Sequence, residues 1–270
     1  MKQIIVPTDF SQGAWNALIY ATNLGEALGV RDILVLNSYI APHSGASTLV
    51  SIDRIMQQDS ENGLEEWAAK IKNSGLSTKF NFHTKSVHAN LVEALSSQVT
   101  DYNETMIVMG SLGETGKVEK LFGSNASNVA LDVNCPLVVV PPNSQYTNLR
   151  DIVLGSDFDL LGENNLKILK QIDDLDPSTN LKIVHVTGKD EAQNTPSNLG
   201  IDQKLLPHSL LDIPGDNIGD ALDTYVSSNQ TDLLVLVKRK KGFFGSFFGS
   251  SVTKKMTLMG HVPLLILKEV

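Results

Sequence analysis

The chain has 270 residues, 41% of them hydrophobic and 19% charged, with a formal net charge of −8. That size and composition fit one large globular domain or two of ordinary size, and exclude a disordered or fibrous chain. The acidic balance leaves no global basic field for nucleic acid or an anionic membrane, so an anionic ligand has to be held locally, by backbone N–H groups and a helix N-terminus.

Ile4-Ile5-Val6 reads as a strand that runs into a polar turn at Pro7-Thr8-Asp9-Phe10-Ser11. The opening carries no apolar leader, and no stretch approaches the ~20 apolar residues of a membrane span, which gives a cytoplasmic expectation. Helical spacing follows over Gly13–Leu28, then a strand at Leu34–Asn37. Between Ser47 and Ser74, residues Ile52, Ile55, Met56, Leu64, Trp67, Ala68 and Ile71 fall near helical period, predicting a long helix. Ala89–Thr100 reads as helix, Met106–Met109 as strand, Asn125–Val133 as helix and Leu137–Val140 as strand. Pro141–Thr147 is a Pro-opened polar linker. Beyond it come a strand at Ile152–Leu154, a helix over Gly162–Leu175, a strand at Ile183–Val186 and a loop from Gly188 to Gly200. A helix at Asn217–Ser228, a strand at Leu233–Leu236, a helix at Ser251–Met259 and a strand at Leu264–Leu267 complete the chain. The strand runs lack polar alternation, as strands buried on both faces of a parallel sheet do.

The second series repeats the first. Ile4–Phe10 returns as Ile152–Phe158, and Leu34–Asn37 as Ile183–Val186 to within one residue. Met106–Met109 returns as Leu233–Leu236, Phe122-Gly123-Ser124 as Phe248-Gly249-Ser250, and Cys135–Val140 as Val262–Leu267. The offset falls from 148 residues between Asp9 and Asp157 to 126 between Gly123 and Gly249, so the second copy is about 22 residues shorter. The loss falls where the first copy has its long second helix, which the second copy is expected to lack.

After the fourth strand of the first half stand Gly110, Gly113, Gly123 and Ser124 in the spacing G-x2-G-x9-G-S. The first two glycines permit a tight turn and close backbone approach to a phosphate. The last pair opens a helix, whose free N–H groups and positive dipole end suit an anion, with Ser124, Asn125 and Ser127 in reach. Gly116-Lys117 is not a P-loop, which would need Gly at 111 and Ser or Thr at 118, where Ser111 and Val118 stand. Asp9, the Ser38 region and Gly110 all lie at carboxyl ends of strands, where open α/β sheets bind ligands. Asp9 and Ser11 also suit the N-cap of the following helix. The six histidines include no H-x-x-x-H pair and the chain has one cysteine, so no protein-built metal site is expected. That cysteine, Cys135, excludes an intramolecular disulfide, suits a reducing interior and reads as a buried small hydrophobe.

This loop resembles the nucleotide signature of ATP-binding universal stress proteins, and Ile4–Ser11 and Cys135–Pro141 resemble the same family at both ends of a domain. The resemblance covers nearly the whole chain and is specific in the first half. It implies two tandem doubly wound, Rossmann-like α/β domains with five-stranded parallel sheets, of the adenine nucleotide alpha hydrolase-like type. Residues 1–142 would form a domain with an intact motif and 148–270 one with a degenerate motif. It further implies ATP, or AMP or ADP, as ligand, with Mg or Mn held by the phosphates. Pro7, Thr8 and Asp9 would bind the nucleotide, with Asp9 at the ribose and the Asn37–Ser38 backbone at the adenine. Gly110, Ser111, Gly113, Gly123, Ser124 and Asn125 would hold ribose and phosphates. No residue is expected to be catalytic beyond at most weak ATP hydrolysis. The expected role is a stress-response or signalling module; a slow ATPase or phosphotransferase and a nucleotide-independent scaffold are the alternatives.

In the second half Val237 stands where Gly110 does, Lys240 stands near the position of Gly113, and the loop is one residue shorter, so tightly held ATP is not expected there. Lys238–Phe248, four basic residues and then four phenylalanines, is expected to be a protein-contact or site-plugging element. The two halves are expected to pair antiparallel through Leu137–Val140 and Leu264–Leu267. A homodimer and an unknown protein partner complete the partner expectations, with neither nucleic acid nor membrane.

Overall fold

The computed structural model describes residues 1–40, 49–112, 123–156, 160–188, 201–239 and 262–269. The first half runs β1 (Gln3–Pro7), α1 (Gln12–Leu28), β2 (Asp32–Tyr39), α2 (Leu49–Asn73), β3 (Asn81–His88), α3 (Leu91–Ser96), β4 (Thr105–Gly110), α4 (Ser124–Asp132) and β5 (Leu137–Val140). The second runs β6 (Asp151–Gly155), α5 (Glu163–Asp173), β7 (Asn180–Thr187), β8 (Ser209–Pro214), α6 (Ile218–Ser228), β9 (Leu233–Lys238) and β10 (Leu264–Lys268). Together the strands form one ten-stranded sheet in the order β3-β2-β1-β4-β5-β10-β9-β6-β7-β8. Pairing is parallel within each half and antiparallel at the seam, where Leu264, Leu265 and Ile266 oppose Val139, Val138 and Leu137.

The apolar strand runs are buried on both faces because helices cover both. Ile4, Val6, Val138 and Leu265 pack in one layer with Leu18 of α1, Trp67 of α2, and Ile168, Leu169 and Ile172 of α5. Ile5, Val139 and Leu264 face the other way, toward Ala94, Val129 and Leu222 of α3, α4 and α6. Both layers run across the seam without a break.

One expectation changes in detail and two segments gain definition. α3 is six residues long rather than spanning Ala89–Thr100. Asn90 caps it by accepting from the Glu93 N–H at 3.0 Å, and its last turn tightens as Gln98 N–H donates to Leu95 O at 2.9 Å. The repeat shifts by one at the second strand: Pro7 pairs with Leu36 and Gly155 with Val184, so Asn37 corresponds to His185. The two side chains do the same job, Asn37 Nδ2 donating to Thr8 O at 2.7 Å and His185 Nδ1 to Ser156 O at 2.9 Å. In the second half, residues 201–208 form a turn with Ile201 and Leu206 buried, and most of the expected loop from Gly188 to Gly200 lies outside the described residues. So do the expected helix at Ser251–Met259 and most of the Lys238–Phe248 segment. No helix among the described residues is long and apolar enough to cross a membrane.

Candidate nucleotide cleft

β1 delivers its chain end into a tight turn. Thr8 N–H continues the sheet to Leu36 O at 2.8 Å, and Thr8 Oγ1 accepts from Phe10 N–H at 2.9 Å. Asp9 Oδ1 accepts from Ser11 N–H at 3.1 Å, and Ser11 caps α1 by accepting from Ala14 N–H at 3.2 Å. Capping therefore falls to Ser11, while Asp9 braces the turn and borders the cleft. Phe10 holds φ at 64°, unusual for a residue with a side chain. Its ring lies edge-on to Trp67 at 6.2 Å.

The end of β4 comes up against the start of α1. A Cβ on Gly110 would lie 3.0 Å from Gly13 O, and one on Gly13 would lie 2.9 Å from Leu112 O. Gly110 is thus required by close backbone packing against α1, a reason the spacing did not reveal. Gly13 is its unrecognised partner.

α4 then starts at Gly123, whose N–H donates to Ser111 O at 2.7 Å. Gly123 brings no side chain over the helix end, and no described side chain caps it. The first N–H groups, of Ser124, Asn125 and Ala126, have no partner within the helix. Ser111 Oγ is buried and, among the described residues, without a hydrogen-bond partner. Ser127, by contrast, is spent on Gly123 O at 3.2 Å.

These pieces meet in one cleft. Pro7, Thr8, Asp9, Asn37, Ser38, Gly110, Ser111, Gly123 and Asn125 all line it. The cavity itself is small, about 110 Å³, and opens to solvent. Ser124 is exposed and does not line it, and Gly113 lies outside the described residues. Sequence reasoning missed Ala14, Leu91, Met109, Leu112 and Ala126, which supply the apolar part of the wall. Met109, Leu112 and Ala126 stand beside motif residues, which was the available signal, whereas Ala14 and Leu91 carried none. Among the described residues no group of three or more His, Cys, Asp or Glu could hold a metal.

A doubly wound α/β sheet with a cleft at its strand carboxyl ends, closed on one side by an uncapped helix N-terminus, defines a class of small-ligand-binding folds. The chain belongs to the universal stress protein family, whose sequence model matches residues 1–141. It is 29% identical over 143 residues to a universal stress protein of Methanocaldococcus jannaschii, covering 52% of this chain and 81% of that one. Its fold is similar to that of a universal stress protein from Archaeoglobus fulgidus, at a TM-score of 0.75 and 18% identity over 98% of each chain. A putative universal stress protein from Pseudomonas aeruginosa is also similar, at a TM-score of 0.55 and 10% identity over 99% of this chain and 93% of that one.

Proposed function

We propose that the first-half cleft binds one adenine nucleotide per chain and that occupancy alters the binding of a protein partner. The observation that carries this reading is the buried Ser111 Oγ, unpartnered among the described residues, beside the start of α4, which no described side chain caps. An anionic oxygen there would satisfy both at once. Asp9 across the cleft offers a carboxylate to ribose hydroxyls, and Leu91 and Met109 offer apolar surface to a base. ATP, ADP or AMP all carry these parts, and Mg or Mn would be held mainly by phosphate oxygens. We assign the domains to residues 1–142 and 148–270.

The second half is not an equivalent site in this reading. Lys238 stands at the position of Ser111, and its ammonium donates to Leu131 O of the first half. A homodimer, if formed, uses a surface other than β5 and β10, which already cover each other.

Calorimetric titration of the full chain with ATP is expected to give a stoichiometry near one. Ser111→Ala should weaken binding about tenfold, the scale of one charge-assisted hydrogen bond. Two equal sites, or no uptake of ATP, ADP or AMP, would overturn the reading.

A further inference from the structure

The two ends of α4 are served by different halves of the chain. Its N-terminus borders the first-half cleft through Gly123, Asn125 and Ala126. Its C-terminal carbonyls receive side chains from the second half. Lys268 Nζ donates to Val129 O at 3.4 Å and to Val133 O, and Lys238 Nζ donates to Leu131 O. The two lysines are paired neighbours at the ends of β10 and β9. Lys268 is 6% exposed. Burying one ammonium group beside another costs folding free energy, which apolar residues would avoid. In the first half the position of Lys268 is taken by Pro141.

We propose that Lys238 and Lys268 are positioning residues for the first-half cleft, seating the C-terminal end of α4 so that its N-terminal N–H groups stay aimed at the ligand. This rests on the nucleotide reading above. α4 has nine residues and behaves as a short rod, so a tilt at one end displaces the other. Cations at its C-terminus and an anion at its N-terminus both complement the helix dipole. Both interactions favour the same seating of the helix, so fixing one end aids binding at the other, and the coupling is reciprocal.

The groups facing Lys268 are Lys238 on β9, Asp132 at the end of α4, Cys135 just beyond it and Tyr102 before β4, whose hydroxyl accepts from Lys268 N–H at 2.6 Å. Burial, helped by the Lys238 charge, brings the Lys268 ammonium down to about 8, and burial lowers Lys238 as well. Burial pushes the Cys135 thiol up to about 12 and raises Tyr102. Raising the pH through about 8 therefore removes positive charge from the end of α4, and nucleotide affinity should fall.

The test is ATP titration of the full chain at about pH 7 and about pH 9.5, a range in which a terminal phosphate, with a second pKa of about 6, is mostly ionised from the start, and its remaining ionisation would act in the opposite direction. Wild-type affinity is expected to fall about three- to tenfold across it. Lys268→Met should bind about three- to tenfold more weakly at the lower pH and show a flatter profile. Lys268→Arg, which does not titrate there, should keep the affinity and flatten the profile. Leu222→Ala, in the core of the second half, should lower thermal stability and leave affinity unchanged. Should Lys268→Met fail to fold, Lys268→Arg and the wild-type profile decide. A wild-type chain that binds ATP with no pH dependence, or a Leu222→Ala loss as large as that of Lys268→Met, overturns the coupling and leaves the nucleotide reading standing. A wild-type chain that takes up no ATP overturns the nucleotide reading itself.

Discussion

Phe10 keeps a left-handed backbone at a cost of order 1–3 kcal/mol, and its ring packing supplies the restraint. A Cβ on Gly63 of α2 would come within 2.5 Å of that ring. Gly63→Ala sets an overpacking cost of about 1–3 kcal/mol against a helix-propensity gain of about 1 kcal/mol, so it is expected to destabilise the chain by up to about 2 kcal/mol in denaturant melts, and to weaken the proposed nucleotide binding through the Thr8–Asp9 turn. Unchanged melting would mean that the ring has room to move. Cys135 is 1% exposed and donates to Thr105 O at 3.3 Å, and its thiol is pushed up to about 12 by burial. Thiol reagents at neutral pH should leave it unmodified until the chain unfolds. Lys268 makes a further residue-level prediction. Its folded pKa of about 8 lies below its ordinary 10.5, so between those values the unfolded chain binds more protons. Folding stability contributed by this group rises with pH across that window, and Lys268→Met should remove the slope from pH-dependent denaturant melts.

At the scale of elements, β5 and β10 are each short and apolar, and each would leave an open edge alone. Their antiparallel pairing joins two parallel half-sheets into one. Val139 and Ile266 are buried at this seam. Val139→Lys or Ile266→Lys should place an unpaired charge in the core, cost about 3 kcal/mol or more and produce aggregates visible by sedimentation. A soluble, equally stable variant would contradict the seam. The expected pairing was legible because terminal apolar strands without polar alternation need cover. The length of α3 was not, since Asn90 and the tightened turn at Gln98 end the helix through hydrogen bonds that the apolar spacing does not register.

Across the whole molecule, the seam is reinforced by a buried network: Tyr102 hydroxyl donates to Asn165 Oδ1 at 2.8 Å and accepts from Lys268 N–H. Asn103 Nδ2 adds a bond to Asn164 Oδ1 at 2.9 Å. Residues 1–142 produced alone would lose β10, both lysines and these partners. That fragment is expected to self-associate through β5, as sedimentation velocity would reveal. A stable monomer would show that the β5 edge needs no cover.

The sequence by itself determined the tandem α/β repeat, the strand ends that form the cleft and the glycine spacing after the fourth strand, because apolar runs, glycines and repeated motifs are local signals. Tertiary structure alone decided that Gly13 packs against Gly110, that Phe10 is pinned over Gly63, and that Lys238 and Lys268 end on carbonyls of α4. These contacts join residues far apart in the chain, and their geometry depends on how whole elements pack rather than on any local pattern.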